Sequence, residues 1–191
     1  MRFRTIGGLA LLASLTLAGC GVSSGYNTAQ MPYLASGAPA MTQNDAIAVS
    51  AWVLKNPGVA HGDPALAARA IAAEDWLAGQ VFLTGNFDTY APARIVYWQL
   101  LRNEVRSYLG IPTDAPSQLV VERLLSASAA LSQHDESAAA SDLQPPAFGL
   151  GPTRTIAALS NLPVFSQADR AFADLTRNGN RGTCRENMPN C

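Results

Sequence analysis

Ser132, His134, Asp135 and Glu136 place a hydroxyl, an imidazole and two carboxylates within five residues. These are the groups a hydrolase uses as nucleophile, base and orienter, but the spacing works against that use. Triad members converge from separate elements, whereas neighbours on one helix splay apart around its axis. A polar, exposed helix end accounts for the run more simply. Glu74 and Asp75 offer a second combination, since with Glu104 they could face one another across a cleft as acid and base. Arg69, Arg102 and Arg106 stand at hand as partners for the same carboxylates, and surface ion pairing is their commoner fate. His61, in the loop Ala60-His61-Gly62-Asp63, and His134 are the only histidines, too few convergent ligands for a metal. No catalytic residue, metal or cofactor is assigned.

Aromatic side chains are the remaining functional candidates. Tyr90, Tyr97, Trp98 and Tyr108, with Trp52 and Trp76 elsewhere, could line a core or a recognition groove, and core is the commoner use. Tyr97 and Trp98 are sequence neighbours and must point in different directions. One aromatic edge is therefore expected at the surface, which makes this pair the candidate binding surface. Glu136-Ser137 is similar to the Glu-Ser pair of lytic transglycosylases, whose glutamate is the general acid. The resemblance covers two residues: where that family has Gly-Leu-Met-Gln downstream, Ala138-Ala139-Ala140-Ser141 stands here.

The most specific signal lies at the N-terminus. Arg2 and Arg4 precede the apolar stretch from Ile6 to Leu17, a basic region followed by a hydrophobic one. A helical run of about 12 residues rises roughly 18 Å, well short of the roughly 30 Å hydrocarbon core, so a leader is expected rather than a span. Leu17-Ala18-Gly19-Cys20 then resembles the lipobox of bacterial lipoproteins: an aliphatic residue, two small ones and a cysteine. The resemblance implies cleavage after Gly19 and a diacylglycerol thioether on Cys20, with palmitate-type acylation. Two or three acyl chains anchor stably where one binds only reversibly. Family members retained in the inner membrane commonly carry aspartate after the cysteine, and Gly21 here implies the outer membrane, facing the periplasm.

The chain carries 13 basic and 14 acidic residues, and loss of Arg2 and Arg4 with the leader leaves the mature form acidic by three charges. No cationic cluster exists to meet phosphates, which excludes nucleic acid as a natural partner. Cys184 and Cys191 lie close together in an exported chain, and a disulfide between them is the expectation. Their spacing matches no zinc ribbon or redox Cys-x-x-Cys.

Five to six helices are needed to position these groups. Residues 20–41, rich in Gly, Ser, Pro and Ala without periodicity, suit a flexible tether. Thr42-Gln43-Asn44-Asp45 offers caps for a helix running to Asn56-Pro57-Gly58. Asp63-Pro64 opens a second helix with Leu66, Ala70, Ala73, Leu77 and Val81 as its stripe, ending around Leu83. Pro92 opens a third, striped by Ile95, Trp98, Leu101, Val105 and Leu109 and closed by Gly110 and Pro112. A fourth runs from Pro116 to about Ser132, with continuation or restart through the alanines to Asp142. Thr153 to Leu162 allows a short helix, and Ser166-Gln167-Ala168-Asp169 resembles a capping box for another.

Long alternating runs of β-branched residues are absent, so the fold class expected is all-α, a single small bundle. The organisation is a signal peptide over 1–19, a tether over 20–41, a helical domain over 42–178 and a tail over 179–191. The function expected is that of a lipid-anchored scaffold or accessory protein, a non-enzyme bound to the membrane by its lipid and to another envelope protein by its domain. Two other classes stay open: a peptidoglycan-processing enzyme with Glu74, Glu104 or Glu136 as acid, and a helical carrier of an apolar ligand.

Overall fold

A computed structural model describes residues 27–34, 36–80 and 92–173, with the side chains of 92–94 left out. Cys20, Cys184 and Cys191 lie outside the described residues, as do the signal peptide and the C-terminal tail.

Caps start the first helices where the side chains place them. Thr42 accepts from the Asp45 amide while the Asp45 carboxylate accepts from the Thr42 amide and hydroxyl, a reciprocal box that begins α1 (Gln43–Lys55). These bonds hold the Asp45 carboxyl below its ordinary range. A single 3-10 turn, Pro57–Ala60, follows. Asp63 accepts from the Leu66 amide, and Pro64 opens α2 (Pro64–Gln80). α3 (Pro92–Leu109) ends where Gly110 takes φ +67°, so that Gly110 and Ile111 donate back to Ser107 and Arg106. A Cβ on Gly110 would also meet the Leu150 side chain at 2.9 Å.

The remaining helices are α4 (Ser117–Ser132), α5 (Glu136–Asp142), α6 (Pro152–Leu159) and α7 (Ala168–Phe172). Seven α-helices among the described residues, one more than the upper expectation, make the fold all-α. The extra one comes from the alanine-rich run after α4, which restarts as a separate helix. His134 takes a left-handed φ of 58° and turns the chain, and Asp135 then caps α5 through the Ala138 amide. None of the helices among the described residues is long and apolar enough to cross a membrane.

α2 is the axis of the bundle. Ala67, Ala68, Ala70, Ala72, Ala73 and Ala78 are wholly buried on it, and their small side chains let α1, α3, α4 and α6 close around one rod. Larger groups fill the layers between: Leu54, Ile71, Leu77, Leu101, Leu124, Phe148 and Leu159. α7 lies against α1 and α3, where Phe172 meets Trp98 edge to face at 4.8 Å.

The stretch before α1 departs from expectation. Instead of hanging free as part of the tether, residues 27–31 lie on the bundle. Asn27 donates to the Ala115 carbonyl and accepts from the Ser117 amide, both at 2.6 Å. Gln80 donates to the Ala29 carbonyl, and Gln118 pairs with the Gln30 backbone in both directions. Gly79 allows the close passage, because a Cβ there would meet the Thr28 backbone at 3.0 Å. Met31 and Met41 are buried, and the turn between them stands away from the body. This docking occupies the pole formed by the C-terminus of α2 and the N-terminus of α4. The opposite ends of the same two helices meet at the other pole, where Ser128 donates to the Ala65 carbonyl.

Candidate functional site

Two places bring chemistry-bearing residues together. The first is wholly internal. Asp75 and Arg106 are both about 1 % exposed, and the guanidinium contacts the carboxylate through Nε at 2.6 Å and Nη2 at 2.9 Å. The rest of the guanidinium is equally committed. Nη1 donates to the Thr113 and Ala115 carbonyls and Nη2 to the Ser117 hydroxyl, so Arg106 ties α2 to the α3–α4 connection. Arg102, one turn earlier, donates to the Asn27 carbonyl, the Ser117 hydroxyl and Gln99. The carboxylate that could have been an acid or base is therefore a neutralised structural group.

Glu74 is different. It is 0 % exposed, and neither carboxyl oxygen has a hydrogen-bond partner among the described residues. Burial, and then the charge of Asp75, push its carboxyl well above the usual carboxylate range, against the weaker opposing pull of Arg102 and Arg106. Burial thus favours the protonated form of Glu74, and the side chain is enclosed where no polymer could reach it. The expected surface pairing of Glu74 and Asp75 is corrected: the pair is in the core. A sequence signal for this existed, because α2 is apolar on every side apart from Arg69, Glu74, Asp75 and its last residue Gln80, and a helix apolar all round is buried.

Glu104 is also accounted for. Its carboxylate accepts from the Ser166 amide and hydroxyl and from the Gln167 amide, fixing the entry to α7. Trp98 is corrected as a binding surface. It is 2 % exposed against Phe172, as its place in the inward stripe of α3 requires, whereas Tyr97 is half-buried with the Arg170 guanidinium 5.6 Å from its ring centre. His61 is exposed in its loop.

The second place is a surface groove of about 730 Å³ at the pole away from Asn27. Pro64, Ala65, Leu66 and Arg69 line it from α2, Ser128, Leu131 and Ser132 from α4, and His134 and Glu136 from the turn into α5. The polar residues singled out in sequence therefore do share one surface, but without the wiring of a triad. The Ser132 hydroxyl donates to the Ala129 carbonyl, and no hydrogen bond joins it to His134. Asp135 is spent on capping α5. Glu136 stands exposed, without the apolar enclosure that turns a carboxyl into a general acid. Asp63 and Ser128 are committed to Leu66 and Ala65. Arg69, whose charge reaches Asp45, and His134 and Glu136 make no side-chain hydrogen bond or close ion pair among the described residues and stand around an apolar floor of Leu66 and Leu131. Such a mixture can pair with charges of either sign and cover a small apolar group between them.

The chain matches no protein-family model, no curated protein and no solved structure.

Proposed function

We propose that this chain is a lipid-anchored module of the bacterial envelope, attached through Cys20 and recognising another envelope protein with the groove between α2 and α4. One observation carries the reading. The chain coming from Cys20 docks at one pole, through Asn27 and Ala29, while the groove lies at the other. α2, 17 residues long and spanning about 25 Å, separates the two. An anchor at one end and Arg69, His134 and Glu136, with no side-chain hydrogen bond among the described residues, at the other suit a module that stands on a membrane and presents its far end.

The outer membrane, on its periplasmic side, remains the address proposed from Gly21. A peptidoglycan-processing role draws no support from the acids, since Glu74 is enclosed, Asp75 is ion-paired, Glu104 is a fastening and Glu136 lacks the apolar enclosure of a general acid. An open, charged groove also suits a polypeptide better than an apolar small molecule. In-cell crosslinking of the tagged full-length chain, read by mass spectrometry beside Cys20→Ser, tests the proposal. One abundant envelope protein, captured by the anchored chain and lost from the Cys20→Ser control, is the expected result. A bare monomer in both samples refutes it.

A further inference from the structure

Between the buried Met31 and Met41 the chain forms a turn closed by three backbone hydrogen bonds: Leu34 to Ala38, Gly37 to Leu34 and Ala40 to Pro32. Tyr33 and Pro39 face each other across it as a short bridge. Two features set the turn apart. It carries no charge from Pro32 to Ala40, and indeed no charged residue occurs between Cys20 and Met41. It also exposes two adjacent large side chains, Tyr33 at 73 % and Leu34 at 55 %. Leaving both in water is unfavourable, and nothing in the bundle covers them.

The chain length to the anchor says what does. Cys20 is seven residues from Asn27, a fully extended reach of about 25 Å, and Asn27 is fixed to the Ala115–Ser117 corner by two side-chain bonds. If Cys20 bears lipid, that corner stays within this distance of the bilayer surface. The turn springs from the same pole, because Ala29 and Gln30, just before it, are held by Gln80 at the end of α2 and Gln118 at the start of α4. Tyrosine beside leucine is the composition that settles at the boundary of headgroups and acyl chains, the ring in the apolar layer and the hydroxyl toward water.

We propose that the Tyr33–Leu34 turn is a second membrane contact, a phospholipid-binding wedge that seats the anchored pole on the bilayer and points the groove away from it. The inference rests on the anchor proposed above and deepens it, since an acyl tether alone would let the bundle tumble.

A single alkyl chain binds only reversibly, so it leaves the contribution of the turn measurable. The mature chain with Cys184→Ser and Cys191→Ser, coupled at Cys20 to one thiol-reactive alkyl chain, is partitioned onto vesicles of phosphatidylethanolamine and phosphatidylglycerol. Tyr33→Ser with Leu34→Ser is expected to lower partitioning about tenfold, since both side chains give up apolar burial. Val96→Ser with Leu100→Ser, an exposed apolar pair on α3, is expected to leave it unchanged. Circular dichroism checks that each variant is folded. Equal partitioning for all three proteins overturns the wedge, and so does an equal loss from both pairs. Loss of the crosslinked partner by the Tyr33/Leu34 variant with unchanged partitioning also overturns it, in favour of a protein contact. Mass spectrometry of Cys20 from cells reads the anchor separately, so an unlipidated cysteine defeats the parent proposal without obscuring the vesicle result.

Discussion

Arg106 holds Asp75 in a two-pronged ion pair, Nε to Oδ2 at 2.6 Å and Nη2 to Oδ1 at 2.9 Å, with both side chains withdrawn from water. Taking two charges out of solvent is costly, and the cost is offset only because every remaining guanidinium donor is also used. The pair thereby fixes how α3 and the loop to α4 sit on α2.

Removing one partner strands the other. Arg106→Met is expected to lower unfolding free energy by about 3–5 kcal/mol, and Asp75→Leu by a similar amount. The double variant should recover much of that loss, because no uncompensated charge is left behind. Urea unfolding of the three proteins gives the coupling directly.

Glu74 sets a pH dependence whose sign follows from its burial. The folded state keeps its proton to a higher pH than the unfolded chain, whose carboxyl titrates near about 4.3. The folded state thus binds more protons, and stability falls as pH rises from that point until Glu74 ionises in the folded protein. The slope is at most about 1.4 kcal/mol per pH unit. Glu74→Gln should remove this slope, seen as the difference between the two proteins' stability profiles. Glu74→Met, which replaces unpartnered oxygens with apolar atoms, should stabilise at pH 7 by about 1–3 kcal/mol.

Trp98 and Tyr97 separate core from surface on one helix. Trp98→Ala opens a cavity against Phe172 and should cost about 3–5 kcal/mol. Tyr97→Ala, which removes a partly exposed ring under Arg170, should cost below about 1 kcal/mol. Thermal unfolding distinguishes them, and equal losses would contradict the packing described for α3.

Asn27 is the clasp of the docked segment. Asn27→Ala leaves the Ser117 amide and Ala115 carbonyl without its side chain, a loss of about 1–3 kcal/mol. Much of this should appear as local opening: faster hydrogen exchange at the Gln30 amide, which donates to Gln118, with the α2 core still protected.

Helices were the legible part of this sequence, because caps at Thr42 and Asp63 and the stripe from Ile95 to Leu109 report local physics. The break between α4 and α5 was not, since it turns on His134 at a left-handed φ, where glycine would have announced it. The docking of the segment before α1 leaves no trace in periodicity, which registers side-chain stripes, because Asn27 to Gln30 attach by backbone and amide groups. The core placement of Trp98 was already implied by its stripe, while Tyr97 beside it is half-buried. Residue type alone puts Glu74 and Asp75 at the surface, whereas the surrounding alanines mark a buried helix. The groove joins residues some 70 positions apart and depends on how α2 and α4 cross, which no local pattern encodes.

Recognition through the groove is tested by crosslinking of the anchored chain carrying Arg69→Glu, beside the unaltered chain and Val164→Ser. Arg69 lines the groove and is exposed, so reversing its charge should leave the fold intact. Val164, 82 % exposed and outside the groove lining, serves as control. The partner adduct is expected to fall about tenfold with Arg69→Glu, the scale of losing an attraction and gaining a repulsion at an interface, and to persist with Val164→Ser. An adduct undiminished by Arg69→Glu would contradict the groove as the recognition surface.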